Sequence, residues 1–238
     1  METSPWPIYL WNFLSDMEQG LYDGNIEMDE ATYPESFNMD EFSNLRTFAE
    51  RVRYCNQRLQ KLGSGTARIV YAVDTDTVLK LAKNAKGVAQ NQAEAGDWYL
   101  KSMGLFAKVY DYPDNFQWIE MQRCIPAKKS DFKRITGESF ETYCSFIRYM
   151  KERYMRRTYF PVEQGLKEYF DRIIESDGFE DTLFYDIYSY MGDYQPQAVG
   201  DMMRISSWGI VRDDDGSARL VMVDFGLNDD VYDEFYKR

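Results

Sequence analysis

Histidine is absent from all 238 residues. That removes His-based catalytic triads, an imidazole general base and any imidazole metal ligand, and it leaves acid–base chemistry to carboxylates, lysine, tyrosine or cysteine. Cysteine is scarce: Cys55, Cys124 and Cys144 stand far apart, the count is odd and no Cys-x-x-Cys occurs. That spacing argues against a disulfide framework and against a thiolate zinc cluster. No apolar run approaches the ~20 residues that a membrane-spanning helix needs. The opening METSPWPIYL has no basic cluster ahead of its apolar stretch, which argues against a signal peptide. The expectation is a cytoplasmic protein without a membrane partner.

Positive charge is also short. The formal net charge is -12, but it is unevenly placed. Residues 1–50 hold eleven Asp or Glu and one Lys or Arg, whereas residues 51–238 hold 29 acidic and 27 basic residues. The acidity therefore belongs to an N-terminal extension, and the body is close to neutral. Binding along a nucleic-acid backbone needs a basic surface, so no nucleic-acid partner is expected. The acidic arm is either a solubilising run of like charge or an autoinhibitory or partner-binding element, and residues 1–40 should lie away from any catalytic cleft.

What is present is apolar and aromatic. Apolar residues make up 44% of the chain, with 19 Tyr and 15 Phe, enough for a sizeable core, and the length suits one domain of two lobes or two small domains. Apolar spacing suggests a short helix over 5–19 and another over 40–58 through Phe42, Leu45, Phe48 and Val52. The texture then changes. RLQKLGSGTARIVYAVDTDTVLKLA reads as three short strands joined by a glycine turn and by Asp74–Thr77. Residues 85–102 read as a helix, and 107–110 and 117–121 as two further strands. Helical patterns follow over 138–157, 162–176 and 180–193, and then a hairpin of 208–211 and 220–223 around Asp213–Gly216.

Single residues in this pattern admit more than one reading. Gly63-Ser64-Gly65 can be a plain hairpin turn, or a loop whose bare backbone N–H groups approach a phosphate. Strand alternation puts Val78, Lys80 and Ala82 on one side, so Lys80 is either a solvated lysine or an ammonium aimed into a cleft. Glu94, 14 residues later on a helix, can pair with it. Asp224 closes an apolar strand before Phe225-Gly226, a fitting place for an oxygen ligand to Mg²⁺. Asp201, ahead of the hairpin, is a turn residue or a group that orients a nucleophile.

Order changes the weighing. Gly-x-Gly-x-x-Arg-x-Val, a strand lysine, a helix glutamate, an aspartate before a hairpin and Asp-Phe-Gly after it resemble the protein-kinase signature set. Over residues 58–238 the chain resembles the small bacteriophage-type and bacterial protein-kinase-like proteins, most specifically at KLGSGTARIVY, VLKLA, QNQAEA and LVMVDFGL. That resemblance implies an α+β, two-lobed kinase-like fold: an acidic extension over 1–57, an N-lobe with a small antiparallel sheet over 58–122, and a mainly helical C-lobe with a catalytic hairpin over 123–238. It implies that Gly63, Ser64 and Gly65 cover the phosphates of ATP, that Val70 covers the adenine, and that Lys80 holds the phosphates while paired to Glu94. Glu120 and Met121 fall at the hinge, with Ile119 guarding the back pocket. Asp201 becomes the catalytic aspartate and Asp224 the Mg²⁺ ligand.

The chain departs from the pattern in four places. Arg68 stands where the third loop glycine belongs. Asp201 follows Val-Gly rather than His-Arg. The metal-binding asparagine five residues on is Ser206, with Ser207 beside it, and a hydroxyl is a weaker metal ligand than an amide carbonyl. No Ala-Pro-Glu segment follows Asp-Phe-Gly, so the expected C-lobe is truncated after that motif. The implied activity is an ATP- and Mg²⁺-dependent phosphotransferase, a Ser/Thr protein kinase with a protein substrate or partner, in the host cytoplasm if phage-encoded. The alternatives are a pseudokinase acting as a binding module and a small-molecule kinase.

Overall fold

The computed structural model describes residues 31–96, 100, 103–155, 161–213 and 215–237. The helix expected over 5–19 lies outside them. Between residues 60 and 122 the chain builds a five-stranded antiparallel sheet in the order β1-β2-β3-β5-β4: β1 (Gln60–Ser64), β2 (Arg68–Ala72), β3 (Thr77–Ala82), β4 (Val109–Asp111) and β5 (Trp118–Gln122). The β2–β3 turn is closed by Asp74, whose Oδ1 accepts from the N–H groups of Asp76 and Thr77 at 2.8 and 2.7 Å. This is the Asx turn that an Asp-Thr-Asp-Thr stretch favours.

Every residue of β3 is buried, so both faces of the sheet are covered. One face presents Ile69, Tyr71, Leu79, Leu81 and Trp118 to a core completed by Phe37, Phe42, Tyr54 and Cys55. These last come from α1 (Met39–Ser43) and α2 (Phe48–Arg58) and the segment before them. The single helix expected over 40–58 is two, because Thr47 starts a new one with a capping box: Thr47 and Glu50 satisfy each other's backbone N–H. The expected extension over 1–57 is corrected from Phe37 onward: Phe37 and Phe42 are 7% and 0% exposed, and Phe42 meets Trp118 edge-on at 4.8 Å. Residues 37–58 are part of the folded body, behind the sheet.

The other face of the sheet carries α3 (Ala85–Ala95), started by Asn84, whose side chain accepts from Gly87 N–H. The helix lies very close to the strands. A Cβ on Gly87 would sit 2.3 Å from the Ala67 carbonyl oxygen, so only glycine fits. Gly87, Asn91 and Glu94, spaced as one helix face, are buried toward the sheet.

Beyond β5 the chain crosses at Arg123–Cys124 into a second sheet of β6 (Ile125–Pro126), β7 (Trp208–Arg212) and β8 (Ala218–Met222), in that order. Around it pack α4 (Lys129–Thr136), α5 (Phe140–Met155), α6 (Gln164–Ile174) and α7 (Leu183–Tyr194). Their core is aromatic: Phe132, Tyr143, Phe146, Phe170, Phe184 and Trp208. Trp208 is 1% exposed and donates its indole N–H to the Met202 carbonyl at 2.9 Å. The last element, α8 (Asp229–Phe235), begins three residues after Gly226, with Asn228 as its cap. A small antiparallel sheet with one buried helix, a crossing segment and a helical half built on a hairpin make the two-lobed, protein-kinase-like α+β fold. Among the described residues no helix is long and apolar enough to cross a membrane.

Candidate functional site

Register decides which side chains share the cleft. Val70 pairs with Lys80, and Lys80 with Ile119; Ala72 pairs with Val78, and Val78 with Met121. Directly paired residues share a face, so Val70, Lys80, Ile119 and Met121 lie on the α3 side, and Arg68 joins them as the residue two before Val70 on β2. Ile119 and Met121 are fully buried and Val70 is half-buried. Together they form an apolar roof beside the Lys80 ammonium.

Glu120 is corrected. One residue out of phase, it points to the opposite face, where its Oε1 accepts from the Tyr33 hydroxyl at 2.7 Å. Burial raises its pKa, and the Tyr33 hydrogen bond only partly offsets this. Glu120 pairs with Leu79 on one side and Asp111 on the other, and the chain leaves the sheet only after Gln122. The connector between lobes is therefore Arg123–Cys124, beyond the Glu120–Met121 hinge expected from sequence.

At the centre stands Glu94, fully buried. Its Oε2 accepts from Lys80 Nζ at 2.8 Å and pairs with Arg68 Nη1 at 2.8 Å. Its Oε1 accepts from Arg68 Nη2 at 2.9 Å and from the backbone N–H groups of Phe225 and Gly226 at 3.2 and 3.0 Å. Burial alone would raise this carboxyl's pKa, but the Arg68 and Lys80 charges outweigh it and bring it to about 2. Lys80 also donates to the Val223 carbonyl, and burial, with Arg68 nearby, lowers its pKa despite Glu94. The Asp-Phe-Gly turn is held against α3 by the same economy of space seen at Gly87: a Cβ on Gly226 would sit 2.5 Å from the Gln90 carbonyl oxygen. Thus Lys80, Glu94 and residues 223–226 meet, from three distant stretches of sequence.

Asp224 projects from this cluster with a half-exposed side chain, bonded to Arg68 Nη2 at 2.5 Å. Asp201 lies nearby, with its side chain 14% exposed and paired to Arg204 at 3.2 Å. Burial raises its pKa, the Asp224 charge adds to that, and Arg204 opposes it. The loop bearing Asp201 is tied down by α8: Asp229 Oδ1 accepts from the N–H groups of Gln197 and Ala198 at 2.8 and 3.1 Å.

Lys80 and Glu94 thus stand beside the Asp-Phe-Gly turn, with Asp224 and Asp201 close by. The chain matches solved structures at low identity. The GDP complex of wild-type aminoglycoside 2'-phosphotransferase-IIIa is 16% identical over 79% of this chain and 70% of that chain, with a TM-score of 0.36. The GDP complex of a point mutant of that enzyme is 15% identical over 79% and 69%, with a TM-score of 0.37. The GDP and kanamycin complex of APH(2")-IIIa is 15% identical over 79% and 70%, with a TM-score of 0.36. No family model matches the chain, and no curated protein matches it in sequence.

The glycine turn and the serines complete the site. Gly65 N–H donates to the Arg68 carbonyl at 2.9 Å, and Lys83 Nζ donates to the Gly65 carbonyl at 2.5 Å. Neither Gly63 nor Gly65 has a positive φ, and added Cβ atoms would meet nothing closer than 3.9 Å. The fold itself does not demand glycine here, and Ser64 between them is exposed. Ser206 is exposed and Ser207 buried on a 3₁₀ turn, Ile205–Ser207, whose Ser207 carbonyl accepts from Val223 N–H at 2.8 Å. That bond fixes the turn next to Asp224.

Among the described residues no three acidic or thiol groups gather closely enough to hold a metal alone. Two carboxylates with a hydroxyl are nevertheless a donor set suited to Mg²⁺, which commonly takes one or two carboxylates and completes its shell with water and phosphate oxygens. Sequence reasoning missed the partners of this cluster. Arg68 was read only as a lost glycine and Asn91 not at all, yet Asn91 Nδ2 donates to the Phe116 carbonyl at 2.9 Å and its Oδ1 accepts from Arg68 at 3.3 Å. Strand alternation from Val70 was the available signal for Arg68.

Proposed function

We propose that the chain is a nucleotide-dependent phosphotransferase that passes the terminal phosphoryl group of ATP, with Mg²⁺, to a hydroxyl on a small molecule. The observation that carries the reading is the Glu94 cluster: it fixes Lys80 on the roof side of the cleft and docks the Asp224 turn against it. A triphosphate entering between Gly63–Gly65 and Asp224 meets the Lys80 ammonium and, through a metal held by Asp224 with Ser206 or Ser207, a second positive charge. Mg²⁺ when bound neutralises phosphate charge. Val70, Ile119 and Met121 offer the base an apolar slot. Asp201, on a tethered loop, would orient the acceptor hydroxyl and take its proton as the bond to phosphorus forms and ADP leaves.

Acceptor size is argued from the segment after the motif. Gly226 is followed by Leu227 and the cap Asn228, and α8 begins at once. An extended peptide needs a loop to lie against, and these residues provide none between the motif and the helix, which favours a small acceptor over a Ser/Thr side chain of a protein. The test is transfer of labelled terminal phosphate from ATP, with GTP as comparator, to a panel of amino sugars, polyols and nucleosides, and to whole lysate protein. Label on a small molecule, lost in Asp201→Asn, supports the reading. Label on protein instead would restore the protein-kinase alternative. Folded protein that binds nucleotide but transfers nothing would leave the pseudokinase.

A further inference from the structure

Arg68 makes the cleft electrically unusual. Its side chain is 9% exposed, and its guanidinium grips both oxygens of Glu94, touches Asn91 and reaches Asp224. With Lys80 the cluster holds two cations and two carboxylates, so its charge is balanced before any ligand arrives. Without Arg68 the balance would be one cation against two carboxylates, a deficit that a metal ion fills. Among the described residues, Arg68 is the side chain that pairs with the Asp224 carboxylate.

Resting on the phosphotransferase reading, we propose that Arg68 makes metal capture at Asp224 depend on nucleotide. A divalent ion arriving alone must approach a carboxylate already neutralised by a guanidinium, and two positive centres at one carboxylate in a partly buried site repel strongly. A triphosphate reverses the sign of that interaction. Its oxygens would accept from the guanidinium in exchange for the Asp224 contact, and its negative charge would draw the metal, so that Arg68 and the ion would act together. Arg68 is thus antagonistic to free metal and cooperative with metal–nucleotide. Lysine would keep the charge but lose the double grip on Glu94.

The experiment is Mn²⁺ titration of the folded full chain, by calorimetry or by loss of the free-ion EPR signal, with and without a non-hydrolysable ATP analogue. Arg68→Gln should bind Mn²⁺ alone about 10-fold more tightly than wild type and bind the Mn²⁺–nucleotide about 10-fold more weakly, within the usual span of coupling between two ligands. Arg68→Lys should hold free Mn²⁺ off as wild type does, and it serves as the folded control if Arg68→Gln does not fold. Adding Asp224→Asn to Arg68→Gln should erase the gain for free metal. Unchanged or weaker Mn²⁺ binding by folded Arg68→Gln, or by Arg68→Lys a gain matching loss of the charge, overturns the proposal while leaving the phosphotransferase reading intact. Failure of wild type to bind any nucleotide removes that reading instead, and the metal-alone titration still decides whether Arg68 opposes the ion.

Discussion

A buried glutamate shared by two cations is where stability and chemistry meet in this chain. Glu94 receives five donors, and its pKa near 2 lies below the ordinary 4.5. The sign follows: a depressed carboxyl stabilises the fold above its unfolded pKa, and that share is lost as pH falls from about 4.5 toward about 2. The shift corresponds to about 3 kcal/mol, similar to the cost of removing one partner from a buried ion pair. Glu94→Gln should therefore lose about 3 kcal/mol at neutral pH in urea unfolding. Its stability should also fall less than that of wild type between pH 4.5 and 2; parallel acid profiles would refute the assignment. The loop glycines predict the reverse pattern. Since Cβ atoms at Gly63 and Gly65 have room and no positive φ is at stake, Gly63→Ala and Gly65→Ala should leave the melting temperature within a degree or so, with nucleotide affinity reduced about 10-fold if backbone must approach phosphate. Equal affinity in calorimetry would return the turn to a plain hairpin.

Elements, more than residues, set where Asp201 sits. It lies in no strand or helix; its loop is pinned by Asp229 at the first turn of α8, and α8 packs on α3, the helix that carries Glu94. Asp229→Ala should then lower turnover by about 10-fold through looser aim while nucleotide affinity holds, the split expected of a residue that positions and does not touch substrate. A matching loss of affinity would place α8 in the nucleotide site instead. This contact could not be read from sequence, because it joins residues about thirty apart through an irregular loop whose path no periodicity encodes. What could be read was periodic or punctuated: the strands around Asp74–Thr77, the helix of Glu94, and the hairpin flanking Asp213–Gly216. Glu120 shows the limit. Its place in a strand was legible, but which face it takes depends on a register set by five strands, and a shift of one residue turns it from cleft to the Tyr33 side. The acidic extension misled in another way. Charge counting grouped residues 1–50, but Phe37, Phe42 and Tyr54 inside or beside that run form one side of a core, and burial follows the apolar residues rather than the net charge.

For the molecule as a whole, the cleft is bridged by charged groups. Lys80 from the sheet lobe donates to the Val223 carbonyl of the hairpin lobe, Glu94 accepts from the N–H groups of Phe225 and Gly226, and Arg68 reaches Asp224. A ligand that adds metal and phosphate to the same cleft ties the lobes further, so it should stabilise the entire fold. At a ligand concentration of 100 times Kd the gain is about 2.7 kcal/mol. For a chain of this size that is a rise of about 5–10 °C in melting temperature. The two aspartates should divide this effect. Asp224→Asn removes the charge that would hold the metal, so the rise on adding Mg²⁺ and ATP should vanish together with transfer. On the proposed reading, Asp201→Asn spares nucleotide binding and removes the group proposed to take the acceptor proton. Its melting rise should match wild type while turnover drops about 10²-fold or more. Thermal melts with and without Mg²⁺–ATP, run beside the transfer assay, check both variants at once; loss of the melting rise in Asp201→Asn would move that residue from the acceptor side of the cleft to the nucleotide side.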